Sequence, residues 1–132
     1  MAYTYSGACP IIAIDTMESK LEAARKFGAT HVLNPKECDV VEEVKKITRG
    51  LGVEHSFVAV AGKGIKKQMW DITAGWGQMV IVGHGHHDNE WCNDINYFDF
   101  LRGRKITGCV MGGVTLRRDI PKYMEMYRNG QI

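Results

Sequence analysis

No stretch of this 132-residue chain comes near the roughly 20 consecutive apolar residues that a membrane-crossing helix requires. The opening residues, Met1-Ala2-Tyr3-Thr4-Tyr5-Ser6, hold no basic region ahead of an apolar stretch. No secretory signal is read there, and the expected compartment is the cytoplasm. Charge of one sign is also lacking. Against 17 Lys and Arg stand 15 Asp and Glu, a formal net charge of +2, which makes no electrostatic case for nucleic acid, a membrane surface or acidic partners. Trp70, Trp76 and Trp91 form no stacking stripe for bases. No G-x-S-x-G motif and no nucleophile–base pair is visible. The cysteines Cys9, Cys38, Cys92 and Cys109 contain no C-x-x-C pair. In a chain long enough to build its own core they read as reduced thiols.

An apolar share of 45% and a charged share of 24% exclude disorder as the main state and fit one globular domain. Apolar runs alternate with amphipathic stretches. Ile11-Ile12-Ala13-Ile14 reads as a strand buried on both faces. A helix follows with Leu21, Ala24 and Phe27 on one face, Ser19 and Glu22 as a capping box, and Gly28 as its stop. His31-Val32-Leu33 is a second strand, ended by Asn34-Pro35. Asp39 and Glu42 cap a second helix, with Val40, Val44, Ile47 and Leu51 on its inner face. Residues 53–60 form a third strand. Residues 64–74 form a helix with Ile65, Met69 and Ile72 inward and Trp70 in the core. Gly75 and Gly77 flank a turn into a fourth strand at 78–82, and the polar stretch 84–96 is a loop. A short helix at 97–101, a fifth strand at 105–111 and a helix at 118–128 complete the pattern. That last helix is expected to bury Ile120, Tyr123, Met124 and Tyr127. Strict alternation of strand and helix implies an α/β fold, a parallel sheet with helices on both faces.

Asp15 ends the first strand. Ligands of open α/β sheets bind beyond the carboxyl ends of the strands. A carboxylate there accepts hydrogen bonds from the two vicinal hydroxyls of a ribose and repels a 2′-phosphate. Asp also begins many βα turns as a local cap, and that reading stands beside the first. Lys20 reaches the same ribose from the first helical turn or is a solvated surface charge. No G-x-G-x-x-G occurs, and Gly62-Lys63-Gly64 is too short for a phosphate-binding loop.

With these residues in view, the chain resembles the coenzyme-binding domain of the zinc-containing medium-chain alcohol dehydrogenases. The stretches that carry the likeness are Ile11-Ile12-Ala13-Ile14-Asp15, Lys20-Leu21-Glu22-Ala23-Ala24, Phe27-Gly28-Ala29-Thr30 and Val32-Leu33-Asn34-Pro35. Residues 77–83 and Gly108-Cys109-Val110-Met111-Gly112-Gly113 continue it. The resemblance runs from about residue 7 to residue 132. Residues 1–6 are a leader outside it, and the whole is expected to be a single, partial dinucleotide-binding domain.

The resemblance implies a Rossmann-like, mostly parallel sheet and an NAD cofactor. Asp15 and Lys20 would hold the adenosine ribose, and Val60 would lie against the adenosine half. Val82 and Cys109 would offer carbonyls to the nicotinamide carboxamide and Met111 its N–H, while Gly83 would let the chain pass close to the ring. Plain sheet core is the competing reading of Val60, Val82 and Cys109. The family's first βα unit, with its glycine-rich turn, and its catalytic domain, with the zinc ligands, are not among these residues. Val58 stands where many relatives carry an acid. The isolated chain is therefore expected to be inactive and to bind NAD weakly. The alternative is a non-catalytic oligomerising or binding module derived from a dehydrogenase fragment. A methyltransferase-like fold also places an acid after its second strand, but the stretches after Gly77 argue against it.

The family's strand order is 3-2-1-4-5-6, so the missing strand 1 is the central one of the sheet. Five family strands remain, and the gap must be closed by direct pairing of its neighbours, by a strand from a second chain, or by residues 2–6. Closure or exchange is expected over the leader. A homodimer is expected through the edge of the strand 105–111 or by strand exchange at the gap. His84, His86, His87 and Cys92 crowd one loop with donor types that suit zinc, but in no recognised ligand spacing. A solvated loop is the leading reading there, and one histidine touching coenzyme or substrate is the family's implication.

Overall fold

The computed structural model describes residues 4, 6–82, 93 and 95–132. The expected alternation is present: β1 (Ile12–Ile14), α1 (Glu18–Lys26), β2 (His31–Leu33), α2 (Val40–Ile47), β3 (Val53–Val58), α3 (Ile65–Ile72), β4 (Thr73–Val82), α4 (Tyr97–Leu101), β5 (Lys105–Cys109), a 3-10 turn (Met111–Gly113) and α5 (Leu116–Arg128). All described ladders are parallel, as the fold class requires. No described helix is long and apolar enough to cross a membrane. The chain divides into two compact units, Met1–Val40 with Val114–Ile132, and Val41–Gly113.

In the first unit β1 pairs with β2, Ile12 opposite His31 and Ile14 opposite Leu33. Thr30 fastens the start of the pair. Its N–H donates to the Ile11 carbonyl, and its hydroxyl accepts from the Ile11 N–H at 2.9 Å. α1 packs on both strands and buries Leu21. The expected capping box of Ser19 and Glu22 is not what starts this helix. Its N-cap is Met17, with no side-chain cap bond, and Asp15 Oδ1 accepts the Met17 N–H at 2.9 Å. The acid that ends the strand has taken over the turn, and the helix begins before Ser19 is reached. Thr4 Oγ1 donates to the Phe27 carbonyl at the far end of α1 at 3.2 Å. That contact places Thr4 of the leader on a helix terminus.

α5 starts two residues earlier than the spacing predicts, at Leu116. Asp119 Oδ2 accepts the Thr115 N–H at 2.8 Å and fixes the first turn. Pro121 lies inside the helix and withholds the N–H that would bond the Arg117 carbonyl. The buried face expected here is not buried. Ile120, Tyr123, Met124 and Tyr127 are 48, 46, 52 and 74% exposed. Periodicity records that a helix has an apolar stripe; it does not record that anything covers it.

In the second unit the order is β3-β4-β5. Val58, Trp70 and Met79 form its buried cluster, with Ile65, Met69, Ile81, Ile95 and Ile106 packed around it. Trp70 is thus core, as its position beside Met69 implies. Ser56 and Thr73, both buried, share a hydroxyl contact of 2.8 Å, and Thr73 Oγ1 donates to the Met69 carbonyl at 2.7 Å. β4 is longer than the expected 78–82 because its ladder opens at Thr73 and is then interrupted. Val53 faces Thr73, but His55 faces Gln78, so extra β4 residues loop out between the pairs. Trp76 rides on this bulge at φ 68°. The turn read from Gly75 and Gly77 is this bulge. α2 starts at Val40, and Val40 and Val44 are buried. Leu51, expected on the same face, lies past the helix end and is exposed.

The strands fall into two sheets, β1-β2 and β3-β4-β5.

Candidate functional site

Asp15 stands one residue past β1, where its N–H donates to the Leu33 carbonyl at 3.3 Å and prolongs the ladder. The side chain is fixed at both oxygens. Oδ1 takes the Met17 N–H at 2.9 Å, and Oδ2 lies 3.6 Å from Lys20 Nζ. The Asp15 side chain is 25% exposed and that of Lys20 62%, so the carboxylate is oriented but reachable. Lys20 meets Asp15 because α1 begins close after the strand. Asp15 is thus a turn former, as the cap reading expects, and its carboxylate stays reachable from solvent. Each carboxylate oxygen has two acceptor sites, so capacity for ribose hydroxyls remains.

In the second unit, Val82 and Cys109 are opposite one another, the last residues of β4 and β5. Two neighbouring parallel strands therefore end level at their carboxyl edge. Val82 is 39% exposed, and Val60, past the end of β3, is 57% exposed, which excludes plain core for both. Cys109 is a half-buried free thiol. Met111 opens the 3-10 turn, which Gly112 continues at φ 72°. Gly83, His84, His86, His87 and Cys92 lie outside the described residues. Among the described residues no group of three or more His, Cys, Asp or Glu side chains could hold a metal ion.

One cluster in this unit escaped the sequence. Trp70 Nε1 donates to Asp99 Oδ2 at 3.0 Å, and Arg104 Nη1 donates to the Trp70 carbonyl at 3.2 Å. The same Nη1 lies 3.5 Å from Asp99 Oδ2, and the guanidinium carbon lies 4.8 Å from the centre of the Trp70 ring. Phe100 rests on that ring at 5.4 Å between centroids. Residues 70, 99 and 104 share no helical or strand spacing, so no periodic signal reveals them.

The sequence model of the zinc-binding dehydrogenases matches residues 2–129. An S-(hydroxymethyl)glutathione dehydrogenase from Synechocystis is 36% identical over 124 residues, which is 92% of this chain and 33% of that protein. The alcohol dehydrogenase-like protein 1 of Arabidopsis thaliana is 36% identical over 130 residues, covering 96% of this chain and 33% of its own length. Among solved structures, benzyl alcohol dehydrogenase from Acinetobacter calcoaceticus superposes with a TM-score of 0.83 at 34% identity, over 93% of this chain and 33% of that one. The chain thus spans about a third of the length of the curated relatives it matches. The family match, these relatives and the shared fold identify a partial coenzyme-binding domain of Rossmann type: the chain belongs to the zinc-binding dehydrogenase family.

Proposed function

We propose that this chain supplies the NAD-binding part of a zinc-dependent alcohol dehydrogenase, and that alone it binds NAD weakly and turns nothing over. The observation that carries the reading is the Asp15 carboxylate, oriented by the Met17 N–H and Lys20 yet still reachable. It suits two vicinal ribose hydroxyls. A 2′-phosphate placed there meets a like charge, which selects NAD over NADP. Backbone carbonyls at Val82 and Cys109 and the N–H of Met111 suit the carboxamide of the nicotinamide. When bound, NAD exchanges hydride with an alcohol carbon. Zinc, which polarises the substrate oxygen, would be held by the family's catalytic domain. The weakness follows from the chain's lack of a G-x-G-x-x-G turn to hold the pyrophosphate.

The partner reading is a second copy of the chain. It would join through the edge of β5 and the residues up to Met111, or by exchanging a strand into the gap beside β3. Titration of NAD, NADP and ADP-ribose against tryptophan fluorescence tests the coenzyme reading. NAD and ADP-ribose should bind weakly, NADP more weakly still, and added alcohol should produce no NADH absorbance. A chain blind to all three nucleotides is instead the non-catalytic module, and alcohol-dependent NADH would overturn the inactivity.

A further inference from the structure

We propose that Arg104 is a positioning residue: its latch on Trp70 and Asp99 sets the register of β5 and thereby places the Cys109 carbonyl and the Met111 N–H for nicotinamide. This rests on the coenzyme reading above. β5 is flanked by one described strand, β4. Its ladder runs from Lys105 opposite Gln78 to Cys109 opposite Val82. In a strand, a one-residue slip turns every group to the opposite side, so the Cys109 carbonyl keeps its direction only while that pairing is held. Within the ladder Ile106, packed against the core cluster, resists a slip, while the ladder's carboxyl half holds less. Gly108 has no side chain, and the Gln78 Nε2 to Thr107 Oγ1 bond, 2.6 Å, is exposed.

Arg104 adds to that resistance from the residue just before the strand. Its side chain is 13% exposed. Nη1 bonds the Trp70 carbonyl, the same carbonyl that accepts the Thr73 N–H at the end of α3. The guanidinium carbon lies over the Trp70 ring, and Asp99 pairs with both side chains. Trp70 is 1% exposed and belongs to the unit's core. The start of β5 is thereby tied to the most rigid point nearby. Arg104 Nε is buried without a hydrogen-bond partner among the described residues. The cost of that orphaned donor shows the side chain held by its other contacts rather than by Nε. A lysine cannot hold a delocalised cation over the ring and at the same time a directed donor on the Trp70 carbonyl.

Arg104→Lys and Asp99→Asn test the latch, with dissociation constants for NAD and for ADP-ribose measured by calorimetry. Arg104→Lys should weaken NAD about tenfold, the worth of one directed hydrogen bond, and leave ADP-ribose within about twofold, because that ligand lacks the nicotinamide. Asp99→Asn keeps an acceptor for Trp70 Nε1 and should show a smaller loss of the same selectivity. Amide hydrogen exchange, which needs no ligand, should rise in residues 105–111 and not in Val53–Val58 of β3. Equal loss of both ligands, or exchange that rises evenly or not at all, overturns the latch. Wild-type protein that binds neither ligand sinks the coenzyme reading, and the exchange pattern then decides the register claim by itself.

Discussion

At the scale of single residues, Asp15 carries the most weight. Its removal deletes charge-assisted acceptors, each worth about 1.5–3 kcal/mol. Asp15→Ala should therefore weaken NAD at least about tenfold and narrow its advantage over NADP, a ratio that parallel titrations read directly. Thr73 tests the core in the same way. Its hydroxyl donates to the Met69 carbonyl, so in that geometry the Ser56 hydroxyl is the donor to Thr73. Thr73→Val strands a buried donor and should cost about 1–3 kcal/mol in urea unfolding. The place of Asp15 at the carboxyl end of β1 was legible in the sequence because the apolar run before it ends there. The Ser56–Thr73 bond and the Trp70–Asp99–Arg104 cluster were not, because polar pairs brought together by tertiary folding leave no periodic trace.

At the scale of elements, alternating apolar runs revealed the five strands and five α-helices named above in order, while their ends moved for local reasons. Asp15 captured the start of α1 before the Ser19 capping box, and looped-out residues lengthened β4. α5 is the instructive case, since its stripe is real but uncovered among the described residues. Met124→Ser should change stability by less than about 0.5 kcal/mol, the range of surface substitutions; a loss the size of a core truncation in thermal unfolding would contradict this. The first turn of α5 should respond to acid. The Arg118 guanidinium, followed by the Thr115 N–H, holds the Asp119 carboxyl below its ordinary 3.8. A lowered folded value stabilises the turn above that pH and ceases to do so as pH falls through the folded value. The Thr115 amide should thus stay protected at pH 5 and lose protection only below about pH 4, as exchange measurements would report.

At the scale of the whole molecule, the parallel α/β class and the family were legible from motif order. What the sequence could not convey is how the strands regroup. Pairing between distant segments depends on which backbone edges meet, and the side chains of β1 and β3 look alike whether or not they are neighbours. The described ladders form two sheets instead of one. Sedimentation equilibrium at micromolar concentration should give a homodimer, and a monomer would remove the partner reading.

The three-stranded sheet carries a further consequence. Among the described residues β3 and β5 each show an outer flank that meets no strand, and a parallel sheet presents two different flanks. When one flank of a copy accepts the opposite flank of the next, the contact is head-to-tail and does not close on itself. Such a contact propagates into a filament where a symmetric pairing stops at two. Sealing one flank with a symmetric mate would then do more than build a dimer: it would cap a polymer.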